Sequence, residues 1–280
     1  MRFSTIAAVV MDMDGVLWRG NESLPGLIEL FEWLHEAGVP YALATNNSSR
    51  TPADYVTKLA RLGVPDVPER SIVTSGTATA AYLQTRYMPG TRVLVVGMEG
   101  LRQMIADAGF DVEEDDSAPV DVVVAGVDFE LTYARLKQAT LLIRGGADFV
   151  GTNPDKTFPA PEGLVPGAGS IIAALQAATD VTPVMIGKPG EPMFRTALDV
   201  LGTAPANTLM IGDRVDTDIA GAQAVGMQTA LVFTGVTTPE SLTSSATWPD
   251  VAYEGLPELL KAWAGEAWYR TRMKAKRGQA

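Results

Sequence analysis

Two aspartates one residue apart, Asp12 and Asp14, stand directly after the apolar run Ala7-Ala8-Val9-Val10-Met11 and directly before Gly15. An apolar run that short, closed by Asp and Gly, reads as a buried strand ending at a turn. Two carboxylates so close repel unless a cation lies between them, one takes up a proton, or both are spent on backbone donors of the turn. Oxygen ligands of this kind suit Mg²⁺. The pattern returns late in the chain. Thr208-Leu209-Met210-Ile211 runs into Gly212-Asp213-Arg214-Val215-Asp216-Thr217-Asp218, and Ile219-Ala220-Gly221-Ala222 follows as a helix that Gly226 would end.

Two further polar clusters follow strand-like runs. Tyr41-Ala42-Leu43-Ala44 leads into Thr45-Asn46-Asn47-Ser48-Ser49, whose hydroxyls and amides can bind an anion or can cap the helix expected from Pro52 to Leu62. Val184-Met185-Ile186 leads into Gly187-Lys188-Pro189, where Lys188 is either a surface cation or a phosphate ligand. Each cluster lies at a strand end. In a parallel sheet such ends share one edge, where ligands bind, so Asp12, Asp14, Thr45, Lys188, Asp213 and Asp218 can converge.

The elements that must carry these residues alternate in type. Asn21 to Gly26 reads as a loop, with Pro25 opening a helix that carries Leu27, Leu30, Phe31 and Leu34 and ends at Gly38. The only histidine, His35, falls on that helix as a surface or packing residue. Strand from Ser71 to Ser75 precedes helix from Gly76 to Tyr87. A fresh alternation follows: strand Arg92 to Gly97, helix Leu101 to Ala108, strand Val120 to Val127, helix Tyr133 to Ile143, strand Asp148 to Thr152. This reads as an α/β domain inserted at residues 79–182, between core segments 1–78 and 183–280. The turn-rich loop from Thr152 to Pro161 is either a lid element or a plain connection before the helix Gly169 to Ala178. Ala230 to Phe233 reads as the last core strand, and Leu256 to Trp263 as a helix. Arg270 to Ala280 carries five basic and no acidic residues and reads as a solvated, fraying end.

Composition narrows the function. The 280 residues are 46% hydrophobic, enough for a core in one large domain or two ordinary ones. A net charge of −11 argues against sequence-independent nucleic-acid binding. It also requires a local reversal of field, such as a bound divalent cation, if the substrate is an anion. There are no cysteines, so thiolate chemistry and disulfides are excluded. Neither a signal-peptide pattern nor a long apolar run is present, which predicts a cytoplasmic protein without membrane contact.

Together the clusters resemble those of the haloacid dehalogenase superfamily of aspartate-nucleophile phosphatases. Asp12-Met13-Asp14-Gly15-Val16 is similar to its first motif, Thr45 to the second, Lys188 to the third, and Gly212-Asp213-Arg214-Val215-Asp216-Thr217-Asp218-Ile219 to the fourth. Within the superfamily, the Thr45–Ser49 stretch, Gly151-Thr152-Asn153-Pro154-Asp155, Pro166-Gly167-Ala168-Gly169-Ser170 and Gly187-Lys188-Pro189 resemble the NagD and 4-nitrophenylphosphatase branch. The likeness runs from about residue 7 to about residue 260. Spacing agrees independently. Only about thirty residues separate Asp14 from Thr45, too few for a large lid, while roughly 140 separate Thr45 from Lys188, enough for the inserted unit.

The resemblance implies an α/β fold: a Rossmann-like parallel-sheet core with an inserted α/β cap of the second (C2) type. It implies a Mg²⁺-dependent phosphomonoester hydrolase acting on a small phosphorylated metabolite. Asp12 would be the nucleophile and Asp14 the general acid and base. The metal would be held by Asp12, the Asp14 main chain and Asp213, with Asp218 supporting. Thr45, Asn46, Asn47, Gly15 and Lys188 would bind phosphate, and the cap residues Asn153, Asp155 and Phe158 would meet the leaving group. Asp216 matches no essential position. Caps of this branch often mediate dimers, so a homodimer through the cap is a further expectation. A phosphotransferase or mutase using the same aspartyl-phosphate is the alternative enzyme. A non-enzymatic phosphate-responsive module is the alternative of another class, and the intact Asp12/Asp14 pair argues against it.

Overall fold

The computed structural model describes residues 3–113, 119–160 and 162–277. Strands follow the short apolar runs. They are β1 (Ala8–Met11), β2 (Trp18–Arg19), β3 (Glu22–Ser23), β4 (Tyr41–Thr45), β5 (Ile72–Thr74), β6 (Arg92–Val96), β7 (Asp111–Val112), β8 (Val122–Ala125) and β9 (Asp148–Gly151). Then come β10 (Thr157–Ala160), β11 (Gly163–Pro166), β12 (Val184–Met185), β13 (Thr208–Gly212), β14 (Gln228–Val232) and β15 (Val251–Tyr253). The chain divides into two compact units. The first is Met1–Ala44, Val56–Ile72 and Ala197–Ala280; the second is Thr45–Tyr55 and Val73–Thr196. These bounds differ from the 78 and 182 read from the sequence.

The first unit is built on a six-stranded sheet in the order β15-β14-β13-β1-β4-β5. Strand β1 lies parallel between β13 and β4, with Met11 beside Ile211 on one side and Leu43 on the other. Every residue of β1 and β13 is buried, as a parallel sheet covered on both faces requires. The helix Leu27–Ala37 buries Leu27, Leu30, Phe31 and Leu34, the residues whose spacing predicts it. Gly38, at φ 65°, closes it by donating to the carbonyls of His35 and Leu34. Gly26, rather than Pro25, sits at its N-cap.

The second unit holds a five-stranded sheet in the order β12-β9-β8-β6-β7, with β6, β8, β9 and β12 parallel. Leu94, Val96, Val123 and Phe149 from its strands pack with Ile143 and with Ile171, Ile172 and Leu175 from the flanking helices. Strand β12 therefore belongs to this sheet, so Lys188 does not follow a strand of the sheet that carries Asp12. That corrects the expectation of four strand ends on one edge.

Other corrections are local. Residues 18–23, of which those from Asn21 on read as a loop in the sequence, form the hairpin β2–β3. The predicted loop Thr152 to Pro161 contains β10, which pairs antiparallel with β11; Pro161 itself lies outside the described residues. β15 extends the first sheet beyond the strand read as its last. The basic C-terminal stretch is a helix, Glu266–Arg277, rather than a frayed end. Its Arg272 pairs with Glu36, and Trp268 Nε1 donates to Glu36 Oε2 at 2.9 Å. Residues 278–280 of that stretch lie outside the described residues.

Candidate active site

The acidic residues of the first unit meet because β1 and β13 are parallel neighbours in register. Asp12 follows Met11, and its N–H continues the ladder to Ile211 O at 2.9 Å. Asp213 follows Gly212, the last residue of β13. A π-helical turn, Val215–Ile219, then folds Asp218 back. Asp218 Oδ2 accepts from the N–H of Asp213 at 3.2 Å and of Arg214 at 3.1 Å. The result is three buried carboxylates, Asp12, Asp213 and Asp218, each with an oxygen within 4.8 Å of the others. Three anions out of water at this spacing require a cation or protons. The all-oxygen donor set fits a hard divalent cation such as Mg²⁺.

Asp14 is placed apart from that cluster. It is exposed, and its Oδ1 accepts from Trp18 Nε1 at 2.8 Å. Trp18 is fully buried, and Lys58 Nζ stands 4.1 Å from its ring centroid. Asp14 and Trp18 are also joined by a backbone bridge, and Gly15 N donates to Trp18 O at 2.8 Å. Thus one aspartate of the pair is buried among carboxylates, while the other faces solvent on an aromatic support. Two such environments suit two different chemical roles. Trp18 was not foreseen as a functional residue; its indole N–H four residues after Asp14 was the available signal. Asp216 is exposed and paired with Arg214 at 2.9 Å, and the hydrogen bonds from that guanidinium hold its carboxyl below the usual range.

In the second unit the polar cluster after β4 is knitted by its own side chains. Asn47 N donates to Thr45 Oγ1 at 3.2 Å, and Ser49 N to Asn47 Oδ1 at 2.8 Å. Three groups then converge on Asn46. Its Nδ2 donates to Lys188 O at 2.9 Å, and its carbonyl accepts from Ser75 Oγ at 2.5 Å and from Asn153 Nδ2 at 2.6 Å. Lys188 is only 2% exposed and Asn153 4%. The structure thereby brings Asn46, Lys188 and Asn153 together and engages Asn153 in holding the Thr45–Ser49 loop. Ser75 was missed because it opens a helix with no motif around it. Asp155 N donates to Asn153 Oδ1 at 3.1 Å. Phe158 lies on β10 opposite Val165, with its ring 5.6 Å from that of Phe129. A cavity of about 670 Å³ in the first unit opens among Phe31, His35, Tyr41, Asp66 and Val200; it lies where β4 begins, at the opposite end of the strands from Asp12.

Carboxylates gathered at the ends of two parallel strands, with a nearby acid on its own support, form a group that could hold a cation in an α/β fold. Comparison with known proteins makes the class specific. The haloacid dehalogenase-like hydrolase family matches residues 9–111, and a HAD-hydrolase-like family matches residues 185–259. The acid sugar phosphatase of Staphylococcus epidermidis is 36% identical over 249 residues, covering 89% of this chain and 95% of the relative. The 4-nitrophenylphosphatase of Thermotoga maritima superposes with a TM-score of 0.87 at 37% identity, covering 93% of this chain and 98% of that one. The glycerol phosphate phosphatase of Mycobacterium tuberculosis, solved in complex with magnesium, gives 0.85 at 31% identity, covering 92% and 77%. The chain belongs to the haloacid dehalogenase-like hydrolases, in the branch that contains 4-nitrophenylphosphatases.

Proposed function

We propose that this protein hydrolyses small phosphomonoesters, with sugar and glycerol phosphates as the leading substrate class, in two steps through an aspartyl-phosphate on Asp12. The observation that carries this reading is the buried Asp12, Asp213 and Asp218 cluster beside the separately supported Asp14. The substrate class follows what the relatives are named for.

In the first step Asp12 attacks phosphorus, the ester P–O bond breaks, and Asp14 gives a proton to the departing alkoxide. In the second, water attacks the aspartyl-phosphate, Asp14 takes its proton, and inorganic phosphate leaves. Asp12, Asp213 and the Asp14 main chain would hold Mg²⁺, with Asp218 supporting. When bound, the cation neutralises charge between carboxylate and phosphate and orients both. Thr45, Asn46, Asn47 and Lys188 bind the phosphoryl oxygens and stabilise charge that grows in the transition state. Asp155 and Phe158 are assigned to the leaving group.

The test is phosphate release from a panel of sugar, polyol, nucleoside and aryl phosphates, with Mg²⁺ and with chelator. Chelator-sensitive turnover that Asp12→Asn lowers at least about a thousandfold is the expected result. Folded, Mg²⁺-loaded protein that releases phosphate from none of them refutes the reading.

A further inference from the structure

The turn after β14 makes contacts that neither the sequence motifs nor the proposed chemistry account for. Val236 N donates to Asp213 Oδ2 at 2.7 Å, and Thr237 N donates to Asp213 O at 3.0 Å. Thr237 Oγ1 in turn accepts from Val215 N at 3.2 Å. Asp213 is thus gripped through both its side chain and its main chain by one four-residue turn. The same turn is tied to the loop that carries the aspartate pair. Thr234 Oγ1 donates to Gly15 O at 2.6 Å. Thr234 O accepts from Arg19, at 3.1 Å from Nε and 2.6 Å from Nη2.

Two glycines complete the enclosure. A Cβ on Gly15 would lie 2.7 Å from Asp213 Oδ2, and one on Gly235 would overlap the same carboxylate. Gly15 also holds a φ of +91°, which a side chain would strain. The Asp213 carboxylate is therefore boxed by backbone on two sides and held at Oδ2 by the Val236 N–H. A carboxylate that must meet a small hard cation with near-ideal geometry gains most from such fixing, because Mg²⁺ tolerates little distortion. Groups outside the ligands themselves commonly set ligand orientation in this way.

We infer that Thr234 and Arg19 are positioning residues for the cation site: they clasp the Thr234–Thr237 turn against Gly15 and so hold Asp213 in its ligating orientation. Neither residue touches the reacting atoms. Arg19 is the exposed residue of the two-residue strand β2, far in sequence from the turn it holds. The inference rests on the reading of the acidic cluster as a divalent-cation site.

The experiment measures cation binding, not turnover. Metal-stripped full-length protein is titrated calorimetrically with Mn²⁺, and Mg²⁺ is then measured by competition. Thr234→Val removes the hydroxyl at nearly constant volume, and Arg19→Met keeps the aliphatic stem. Each loses hydrogen bonds whose net worth corresponds to roughly a three- to tenfold weakening of Mn²⁺ binding. Thr234→Ser retains the hydroxyl and is expected within about twofold of the parent. Gly235→Ala, which places a methyl on the carboxylate, is expected to abolish binding. If that variant does not fold by circular dichroism, the changes at the half-buried Thr234 and the exposed Arg19 still decide. Thr234→Val and Arg19→Met both binding Mn²⁺ within twofold of the parent overturns the clasp while leaving the phosphatase reading intact. A parent protein that binds neither cation overturns the cation site and the clasp with it.

Discussion

Replacing Asp213 by Asn should make the cation-free protein more stable and the cation-loaded protein relatively less so. The carboxylate oxygens of Asp12, Asp213 and Asp218 lie within 4.8 Å of one another. At that distance and an effective dielectric of about 20, each pair of full charges repels by about 3.5 kcal/mol. Local donors relieve part of this. The Asn side chain removes two of the three repulsive pairs, keeps an oxygen for the Val236 N–H, and can turn an amide N–H toward its acidic neighbours. A net gain of about 1–3 kcal/mol in chelator is expected, read as a Tm several degrees higher. In Mg²⁺ the variant's advantage shrinks or inverts. A parent protein at a hundredfold excess of cation over Kd gains about 2.7 kcal/mol from binding, and the variant gains little of it. The assay is thermal unfolding by circular dichroism of both proteins in chelator and in saturating Mg²⁺. An Asp213→Asn protein that melts below the parent in chelator refutes the argument, because the three carboxylates would then not be in net conflict.

Trp18→Phe removes the N–H that holds Asp14 while keeping an aromatic ring; kcat on 4-nitrophenyl phosphate should fall about tenfold with KM changed less than twofold. Tyr87 donates to Asp148 Oδ2 at 2.5 Å, and burial followed by that bond pushes its hydroxyl well above the ordinary tyrosine value of 10.0. The folded state thus holds this proton more tightly, so the stability it contributes is complete below pH 10 and is lost as pH rises above it. Tyr87→Phe should flatten the fall of Tm between about pH 10 and 11.5. Glu36→Gln weakens the contacts of Trp268 and Arg272, and hydrogen exchange over Glu266–Arg277 should speed up in the variant, as it should for the parent in high salt. Unchanged exchange in both would mean that the apolar contacts of this helix suffice.

The parts of this molecule that were legible in its sequence are those with dense local signals. Val9-Val10-Met11 before Asp12, and Leu209-Met210-Ile211 before Asp213, announce both the strands and the carboxylates at their ends, because a buried parallel strand leaves little else for its sequence to be. The hairpin β10–β11 was illegible for the opposite reason. Pro159 and Pro166 argue against strands, yet a two-stranded ribbon has open edges that tolerate a missing N–H. Membership of β12 in the second sheet was also hidden, since which strand becomes a neighbour is decided by pairing across long stretches of chain and not by composition. The clasp on Asp213 left a weaker trace. Thr234-Gly235 after an apolar strand could have been read as another strand end on the ligand edge. Arg19 had no sequence signal at all, being chosen only by a backbone carbonyl far along the chain.

The order of strands in the first sheet carries a consequence for biosynthesis. Strand β1 is made roughly two hundred residues ahead of its neighbour β13, which pairs Thr208 with Ala8. The second unit, by contrast, is nearly one continuous stretch, Val73–Thr196, and its strands find neighbours soon after they leave the ribosome. A nascent chain should therefore complete the five-stranded sheet while β1, already able to pair with β4, still waits with its other edge unpaired and exposed to premature association. Pairing across so long an interval is slow to find. The site that needs both β1 and β13 is consequently among the last parts of the molecule to exist, and chains truncated before Thr208 should carry a finished second unit and no cation site.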